Sequence, residues 1–275
     1  MILSRVLPRA TLLTTRGLSG LTTTMTTPDD VSYITLNNPA RRNPLSLDML
    51  NSLISDIESA NSHSRCIVIR STGNVFSSGH DLKELAAASQ EVQYSIFNRC
   101  NDLMLLVAKS SAPILASVDG FATAAGCQLV AACHLAICSE RSKFATPGVN
   151  IGLFCSTPGV QLGRAVNRKL AMDMLLTGEP ISSEAALRGG LVSRVFESSE
   201  ELQSETERIA SLIASKSSPV VKLGISNFNS QMRKPLVDAA EQSSEVMVRN
   251  LELEDGKEGL NAFLEKRHPS WQQDK

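Results

Sequence analysis

Short apolar segments alternate with longer stretches of helical periodicity through the first two thirds of the chain. Brief apolar runs bounded by turn residues predict buried strands. The predicted strands are residues 33–36, 66–70, 113–118, 134–139 and 191–196. The predicted helices between them include 46–60, with Ser46 as its N-cap, 92–109 and the nearly all-apolar 126–132. Alternating strands and helices, followed by a mostly helical carboxyl-terminal third, predict an α/β fold.

Composition excludes several classes of function. The 275 residues are 42% hydrophobic, which is enough for one large core, so one domain with a helical tail is the simplest division. Lys and Arg total 27 against 28 Asp and Glu, and only 4% of residues are aromatic. Neither a basic surface nor a base-stacking platform is therefore expected, which argues against a nucleic-acid partner. No apolar run approaches the length of a membrane span.

The amino terminus differs in composition from the rest of the chain. Residues 1–28 hold Arg5, Arg9 and Arg16, many Ser, Thr and Leu, and no acidic residue. This composition predicts a mitochondrial transit peptide and a disordered lead, with cleavage after Leu18, and places the protein in the matrix. A merely disordered terminus is the alternative. The rest divides into a core at 29–215 and a helical region at 216–275.

The six cysteines give no sign of a metal site. They contain no C-x-x-C pair, and most lie within apolar runs. Buried, reduced thiols in a reducing compartment are the expected state. No His or Cys pair has the spacing of zinc ligands, so no metal is predicted.

Two glycine-bearing turns carry the candidate chemistry. The first spans residues 76–83, and the second, 119–129, ends an apolar strand and opens a helix. Small residues let backbone N–H groups approach a bound carbonyl, and a helix start adds its positive dipole end. Two such donors on separate loops would form an oxyanion hole, which stabilises negative charge on a thioester oxygen.

These turns, with several other segments in the same order, resemble the enoyl-CoA hydratase/isomerase (crotonase) superfamily. The other segments are 34–46, 143–147, 184–192 and 258–267. The resemblance implies a spiral of ββα units with a helical carboxyl-terminal trimerisation region, and a trimer or dimer of trimers. It implies a role in fatty-acid metabolism, with a coenzyme A thioester as ligand or substrate and no other cofactor. The superfamily has a more apolar first strand than residues 22–30 offer, so an abbreviated first hairpin is expected.

The resemblance also assigns site residues. The oxyanion donors would be the backbone N–H groups of His80 and Ala125. Ala125 replaces a usual glycine, which is acceptable if its φ is negative. The His80 side chain would be either a titratable group at the pocket edge or a residue pointing away. The coenzyme A contacts implied by the resemblance are Asp81, Leu82, Lys83 and Lys266.

The two catalytic glutamates of the superfamily are missing. Their positions hold Gln128 and Gly148. An amide is no general base near neutral pH, and glycine has no side chain, so hydration by the two-glutamate mechanism is expected to be weak or absent. Asn150, Cys155 and Ser156 follow on the same loop, with Cys155 either a nucleophile or a packed thiol. Two alternatives remain: an enzyme that uses the oxyanion hole alone, such as a carboxyacyl-CoA decarboxylase, and a non-catalytic regulatory subunit.

Overall fold

A twisted seven-stranded sheet forms the centre of the computed structural model, which describes residues 13–16 and 20–272. Its strands, in chain order, are β1 (Leu13–Arg16), β2 (Thr22–Thr26), β3 (Val31–Leu36), β4 (Cys66–Ser71), β6 (Ile114–Val118), β8 (Leu135–Ser139) and β11 (Arg194–Phe196). The spatial order is the same, β1-β2-β3-β4-β6-β8-β11. Pairing is parallel from β3 to β11 and antiparallel among β1, β2 and β3.

A smaller sheet, which sequence patterning did not predict, lies where the chain leaves the large one. Its strands are β5 (Val75–Ser77), β7 (Phe121–Thr123), β9 (Lys143–Ala145) and β10 (Ile181–Ser182), in the order β10-β9-β7-β5. Each is two or three residues long, which is too short for periodicity to reveal. A long strand, a short strand and a helix therefore repeat along the chain, as the predicted spiral of ββα units requires.

Eleven α-helices lie in the described part of the chain. They are α1 (Leu47–Asn61), α2 (Leu82–Ala87), α3 (Gln90–Lys109), α4 (Ala125–Ala132), α5 (Ser156–Ala165), α6 (Arg168–Thr177), α7 (Ser183–Gly189), α8 (Ser199–Ala214), α9 (Ser218–Gln231), α10 (Leu236–Glu252) and α11 (Glu254–Leu264). Ser46 caps α1 as predicted, because its side chain accepts the Met49 N–H at 3.3 Å. The main core lies between the large sheet and α1, α3 and α4, while α8 covers the other sheet face.

The amino-terminal hairpin corrects one sequence prediction. β2 pairs with β3 along its whole length, from Thr22 opposite Leu36 to Thr26 opposite Ser32. The disordered lead was predicted to continue to residue 28, yet residues 22–26 form a strand of the large sheet. The reason is local, because β-branched threonine favours strands whether or not it is apolar. The predicted cleavage site after Leu18 lies outside the described residues.

The three carboxyl-terminal helices expose an unusual number of large apolar side chains. α10 packs on α9 and α11, yet α9, α10 and α11 together bury only four residues. The exposed apolar residues include Phe228, Met232, Leu236, Val237, Phe263 and Leu264, and Leu236 is 85% exposed. So many exposed large apolar side chains on neighbouring helices are typical of an interaction site.

The described residues contain neither a helix that could span a membrane nor a cluster that could hold a metal. No helix among them has the length and hydrophobicity to cross a bilayer. Within the same residues, no three His, Cys, Asp or Glu side chains are grouped so that they could hold a metal ion.

Candidate functional site

The two glycine-bearing turns meet at the carboxyl ends of the central strands. Gly79 has φ +82°, and a Cβ built on it would lie 2.8 Å from the Cβ of Ala124 and 3.1 Å from the nitrogen of Ala125. Gly126 is equally confined, since a Cβ there would lie 2.6 Å from the Ser77 carbonyl oxygen. The glycines therefore let one backbone segment approach the other, and a side chain at residue 79 would fill the space between them.

The backbone N–H groups of His80 and Ala125 are both unpaired within the described chain. Neither donates a hydrogen bond to a described residue, although the neighbouring Ala124 N–H donates to the Ala145 carbonyl at 2.9 Å. Ala125 is the first residue of α4, so its N–H belongs to the first turn, which has no partners inside the helix. The site thus brings together two N–H donors and the positive end of a helix dipole, which suits an oxygen that carries negative charge.

Backbone strain falls on Ala124 rather than on Ala125. Ala124 has φ 50° and ψ −119°, and Ala125 is not among the residues with positive φ. The resemblance to the superfamily required a negative φ at Ala125, which replaces a usual glycine, and Ala125 meets this requirement. A non-glycine residue in the conformation of Ala124 is strained, and such strain concentrates at functional turns.

The second turn is fixed by a polar network at its start. The Asp119 carboxylate accepts hydrogen bonds from the Ser139 hydroxyl at 2.7 Å and from the Arg141 Nε at 2.7 Å. Burial alone would raise the pKa of Asp119, but these bonds outweigh it and lower the pKa. The Ser142 hydroxyl accepts the Gly120 N–H at 3.1 Å. The turn is therefore held from β8 and the loop that follows it.

The His80 side chain packs between α3 and the loop before α1. Its ring meets the Phe97 ring edge-on, with centroids 5.0 Å apart, and its Nδ1 lies 3.3 Å from the Leu45 carbonyl oxygen. Burial lowers the pKa of His80, only partly opposed by the Leu45 carbonyl. These contacts favour the interpretation in which the imidazole is a packed side chain, with only the backbone facing the site.

Three of the predicted coenzyme A contacts lie together at the start of α2. Asp81 caps the helix, because its carboxylate accepts the N–H groups of Lys83 at 3.1 Å and Glu84 at 3.4 Å. Its second oxygen pairs with Arg41 at 2.7 Å. Leu82 is 53% exposed and Lys83 is exposed beside it. The Asp81 side chain thus has a structural role, and a ligand would meet the exposed surface of Leu82 and Lys83.

Lys266 lies apart from the other predicted site residues. It follows α11 with φ 56° and is exposed, and its N–H donates to the Phe263 carbonyl at 3.2 Å. α11 packs on α9 and α10. Nothing within the described chain brings this lysine to the two turns.

Gln128, for which the resemblance implies a catalytic glutamate position, is 1% exposed. Its Nε2 donates to the Oε1 of Gln161 on α5 at 3.0 Å, and its own Oε1 is buried without a partner among the described residues. Sequence analysis did not identify Gln161, which lies 33 residues away and belongs to no motif. Glu140, the only acidic residue between Asp119 and Asp173, is exposed just beyond the end of β8. Two amides therefore lie side by side here, and neither is a general base near neutral pH.

Gly148 has no room for any side chain. A Cβ there would lie 2.3 Å from the Leu153 carbonyl oxygen and 2.8 Å from the Cys155 Sγ. Burial raises the pKa of the Cys155 thiol, partly opposed by a hydrogen bond with the Gly148 backbone. A thiol with a raised pKa is a poor nucleophile, so Cys155 is better described as a packed side chain that fills this position.

Comparison with known proteins identifies the family. A model of the family described as Enoyl-CoA hydratase/isomerase matches residues 26–274, and the chain belongs to this family. It is 55% identical over 244 residues to Enoyl-CoA hydratase domain-containing protein 3, mitochondrial, of Xenopus laevis, covering 88% of this chain and 83% of that protein. The Homo sapiens protein of the same name is 51% identical over 246 residues, covering 88% and 81%.

Solved structures agree with this assignment and with the predicted crotonase fold. The crystal structure of human enoyl coenzyme A hydratase domain-containing protein 3 superposes with a TM-score of 0.88 at 50% identity, covering 91% of this chain and all of that one. An enoyl-CoA hydratase of Mycobacterium smegmatis gives a TM-score of 0.87 at 40% identity, covering 94% and 98%.

Proposed function

We propose that this protein binds acyl-CoA thioesters in the mitochondrial matrix and serves fatty-acid metabolism, with little or no hydratase activity. The observation that carries the proposal is the pair of unpaired N–H groups, of His80 and Ala125, on turns that meet at Gly79. Two such donors suit the carbonyl oxygen of a thioester. The word mitochondrial in the names of the most similar relatives supports the location.

The rest of the ligand has a proposed path along the exposed start of α2. The adenine would meet the backbone at Asp81, Leu82 and Lys83. Lys266 would reach the coenzyme A phosphates from a neighbouring subunit, since its own chain holds it on the carboxyl-terminal helices. The exposed apolar residues of α9, α10 and α11 support a trimer or a dimer of trimers. A mass measurement in solution tests the oligomer, and a monomer at micromolar concentration would contradict it.

Weak hydration follows from Gln128 and Gly148. Water addition needs a group that takes a proton from water and another that gives one to the α-carbon. The Gln128–Gln161 amide pair can hold a water or an acyl group but cannot exchange protons near neutral pH. A crotonyl-CoA hydration assay is expected to give a rate close to background.

The binding proposal is tested by calorimetry with butyryl-CoA on the wild type and two glycine variants. Gly79→Ala places a Cβ between the two turns at φ +82°, and we expect at least a tenfold weaker Kd, or about 1.4 kcal/mol. Gly73→Ala is the matched control, because Gly73 has φ +80° and its Cβ would meet Pro39 instead. Equal weakening in both variants would show that strain alone is responsible. Failure of the wild type to bind any acyl-CoA would refute the proposal.

A second candidate function is decarboxylation of a carboxyacyl-CoA. It is favoured because the N–H donors of His80 and Ala125 have no carboxylate base beside them among the described residues. In a malonyl-type thioester the bond between the α-carbon and the carboxylate can break, releasing CO₂ and leaving its electron pair in an enolate. The two N–H groups would stabilise the enolate oxygen, and solvent would protonate the α-carbon. Release of CO₂ from carboxyacyl-CoAs above background would establish this enzyme. Tight binding without turnover of any thioester would instead favour a regulatory subunit.

A further inference from the structure

A basic cleft of about 480 Å³ lies near the amino-terminal end of β6, whereas the two turns lie at the carboxyl ends of the strands. Its walls are the end of α3, with Lys109, and α9 with the turn that follows it, which carries Lys222, Arg233 and Lys234. We call it the α3–α9 cleft. β6 begins beside the cleft and ends at the second turn, and its five residues span roughly 16 Å. The cleft is therefore separate from the proposed thioester site.

Its charge departs from that of the whole protein. The chain has a formal net charge of −1, yet four basic side chains and no acidic one are among the described residues that line the α3–α9 cleft. Lys109, Arg233 and Lys234 form no ion pair with any described residue. The positive charges of these three side chains repel one another, and an anion between them relieves the repulsion.

The walls are fixed by contacts between the helices. Asn229 on α9 donates from Nδ2 to the Ala108 carbonyl on α3 at 2.9 Å, which holds one wall against the other. Ser226 and Ser230 also line the cleft, four residues apart and therefore on one face of α9. Ser110 at the end of α3 is buried and donates to Asn61 at 2.9 Å. Ser230 already donates to the Gln242 Oε1 at 3.3 Å, so Ser226 is the serine of this face whose exposed hydroxyl accompanies the cations.

Helix ends alone do not account for this arrangement. Lys109 is the last residue of α3, and Arg233 and Lys234 follow α9, so each cation also suits the negative end of a helix dipole. In the described residues, however, the side chains of these three cations make no hydrogen bond to a helix carbonyl. Favourable interactions with the two helix dipoles also do not require both helix ends to line the same cavity. That both ends line one cleft therefore needs a further explanation.

We propose that the α3–α9 cleft binds a small soluble molecule that carries two or more linked phosphate groups. Arginine matches phosphate oxygens with two parallel N–H groups, lysine supplies point charges, and the exposed Ser226 hydroxyl is a further donor. The volume of about 480 Å³ lies within the range of small-molecule sites. Since the cations are near the surface, salt should weaken binding.

Inorganic tripolyphosphate is the probe, titrated by calorimetry into the full chain with butyryl-CoA at saturation to block phosphate binding at the thioester site. One further ligand per chain is expected, with an affinity that falls as salt rises. Lys109→Gln with Arg233→Gln should weaken this binding at least tenfold. The matched control, Arg168→Gln with Lys169→Gln, removes two exposed charges from α6 and should leave it unchanged.

Several results would overturn the proposal. Absence of tripolyphosphate binding, or equal weakening in both double variants, would leave only general electrostatic attraction. A lower melting temperature of the cleft variant with unchanged affinity would assign the cations to the helix ends. Binding only to phosphatidylcholine vesicles that contain phosphatidic acid would point to a membrane surface instead. The butyryl-CoA Kd, measured on the same samples, tests the thioester site independently.

Discussion

Ala124 differs by one methyl group from glycine, which is the residue that its backbone conformation favours. With φ 50° and ψ −119°, this position suits glycine, and strain of this kind costs about 1–3 kcal/mol. Glycine would relieve the strain but add about 0.5–1 kcal/mol of conformational entropy to the unfolded chain. We expect Ala124→Gly to leave the free energy of unfolding unchanged or to raise it by up to about 2.5 kcal/mol, measured by urea denaturation.

The control for this residue lies on the adjoining helix. Ala131→Gly, in the last turn of α4, should lower the free energy of unfolding by about 0.5–1 kcal/mol, because helical φ and ψ give glycine no advantage there. Similar losses in both variants would mean that Ala124 is not strained.

Gly148 is the second residue whose small size is decisive. Gly148→Ala should lower the free energy of unfolding by about 1–3 kcal/mol, because the Cβ would lie 2.3 Å from a backbone oxygen that cannot move alone. Gly163→Ala is the control: no heavy atom lies within 4 Å of its Cβ, and it should stabilise α5 by about 0.4–1 kcal/mol. Urea denaturation compares them, and an unaffected Gly148→Ala would contradict the close packing.

The same geometry limits how hydratase activity could be restored. A glutamate at residue 148 would first have to displace the Leu153 backbone and the Cys155 thiol. Gln128→Glu alone would add one carboxylate to a buried amide pair. We therefore expect the double variant to be less stable than the wild type, and this loss of stability would limit any gain in hydratase activity.

At the scale of elements, the short helix α2 depends on one side chain. Asp81 both caps α2 and pairs with Arg41. Asp81→Ala should lower the free energy of unfolding by roughly 1–2 kcal/mol, mostly through the lost cap, because Arg41 is half exposed and the ion pair is screened. Asp81→Asn keeps a capping oxygen and should cost less than half as much. Thermal denaturation measures both, and equal losses would assign the effect to the ion pair.

How far the elements could be predicted depended on their length. α1, α3, α4 and the strands of the large sheet, β1 and β2 apart, follow from runs of apolar residues long enough to show a period. β5, β7, β9 and β10 could not be found this way, because two or three residues define no period and their pairing joins distant segments. β2 was missed for another reason, since its threonines show no apolar pattern, and Thr22 is buried only when β3 pairs with β2.

At the scale of the whole molecule, two histidines should make stability depend on pH. Burial lowers the pKa of both His80 and His134 below 6.5. Below that pH the unfolded chain binds protons that the folded chain does not, so stability is complete above about pH 6.5 and falls as pH falls toward the folded-state values. Each histidine contributes a slope of up to about 1.4 kcal/mol per pH unit.

Urea denaturation between pH 5.5 and 7.5 checks this slope. His80→Gln and His134→Gln should each reduce it, although His134→Gln also disturbs the Ile114 N–H that donates to the ring. His63→Gln, on the exposed chain after α1, is the matched control. A slope that remains the same in the buried-site variants would mean that other groups carry the pH dependence.

The sequence by itself determined the fold class and the positions of the two turns, because apolar periodicity and small residues act locally. The resemblance to the superfamily also predicts that Gln128 and Gly148 stand at the positions of its two catalytic glutamates. Only the tertiary structure brought Gly79 within van der Waals distance of Ala124, placed the strain on Ala124 and paired Gln128 with Gln161. The α3–α9 cleft likewise exists only in three dimensions, because its cations come from segments more than a hundred residues apart. Such contacts depend on how the ββα units stack, and no local pattern in the chain specifies that.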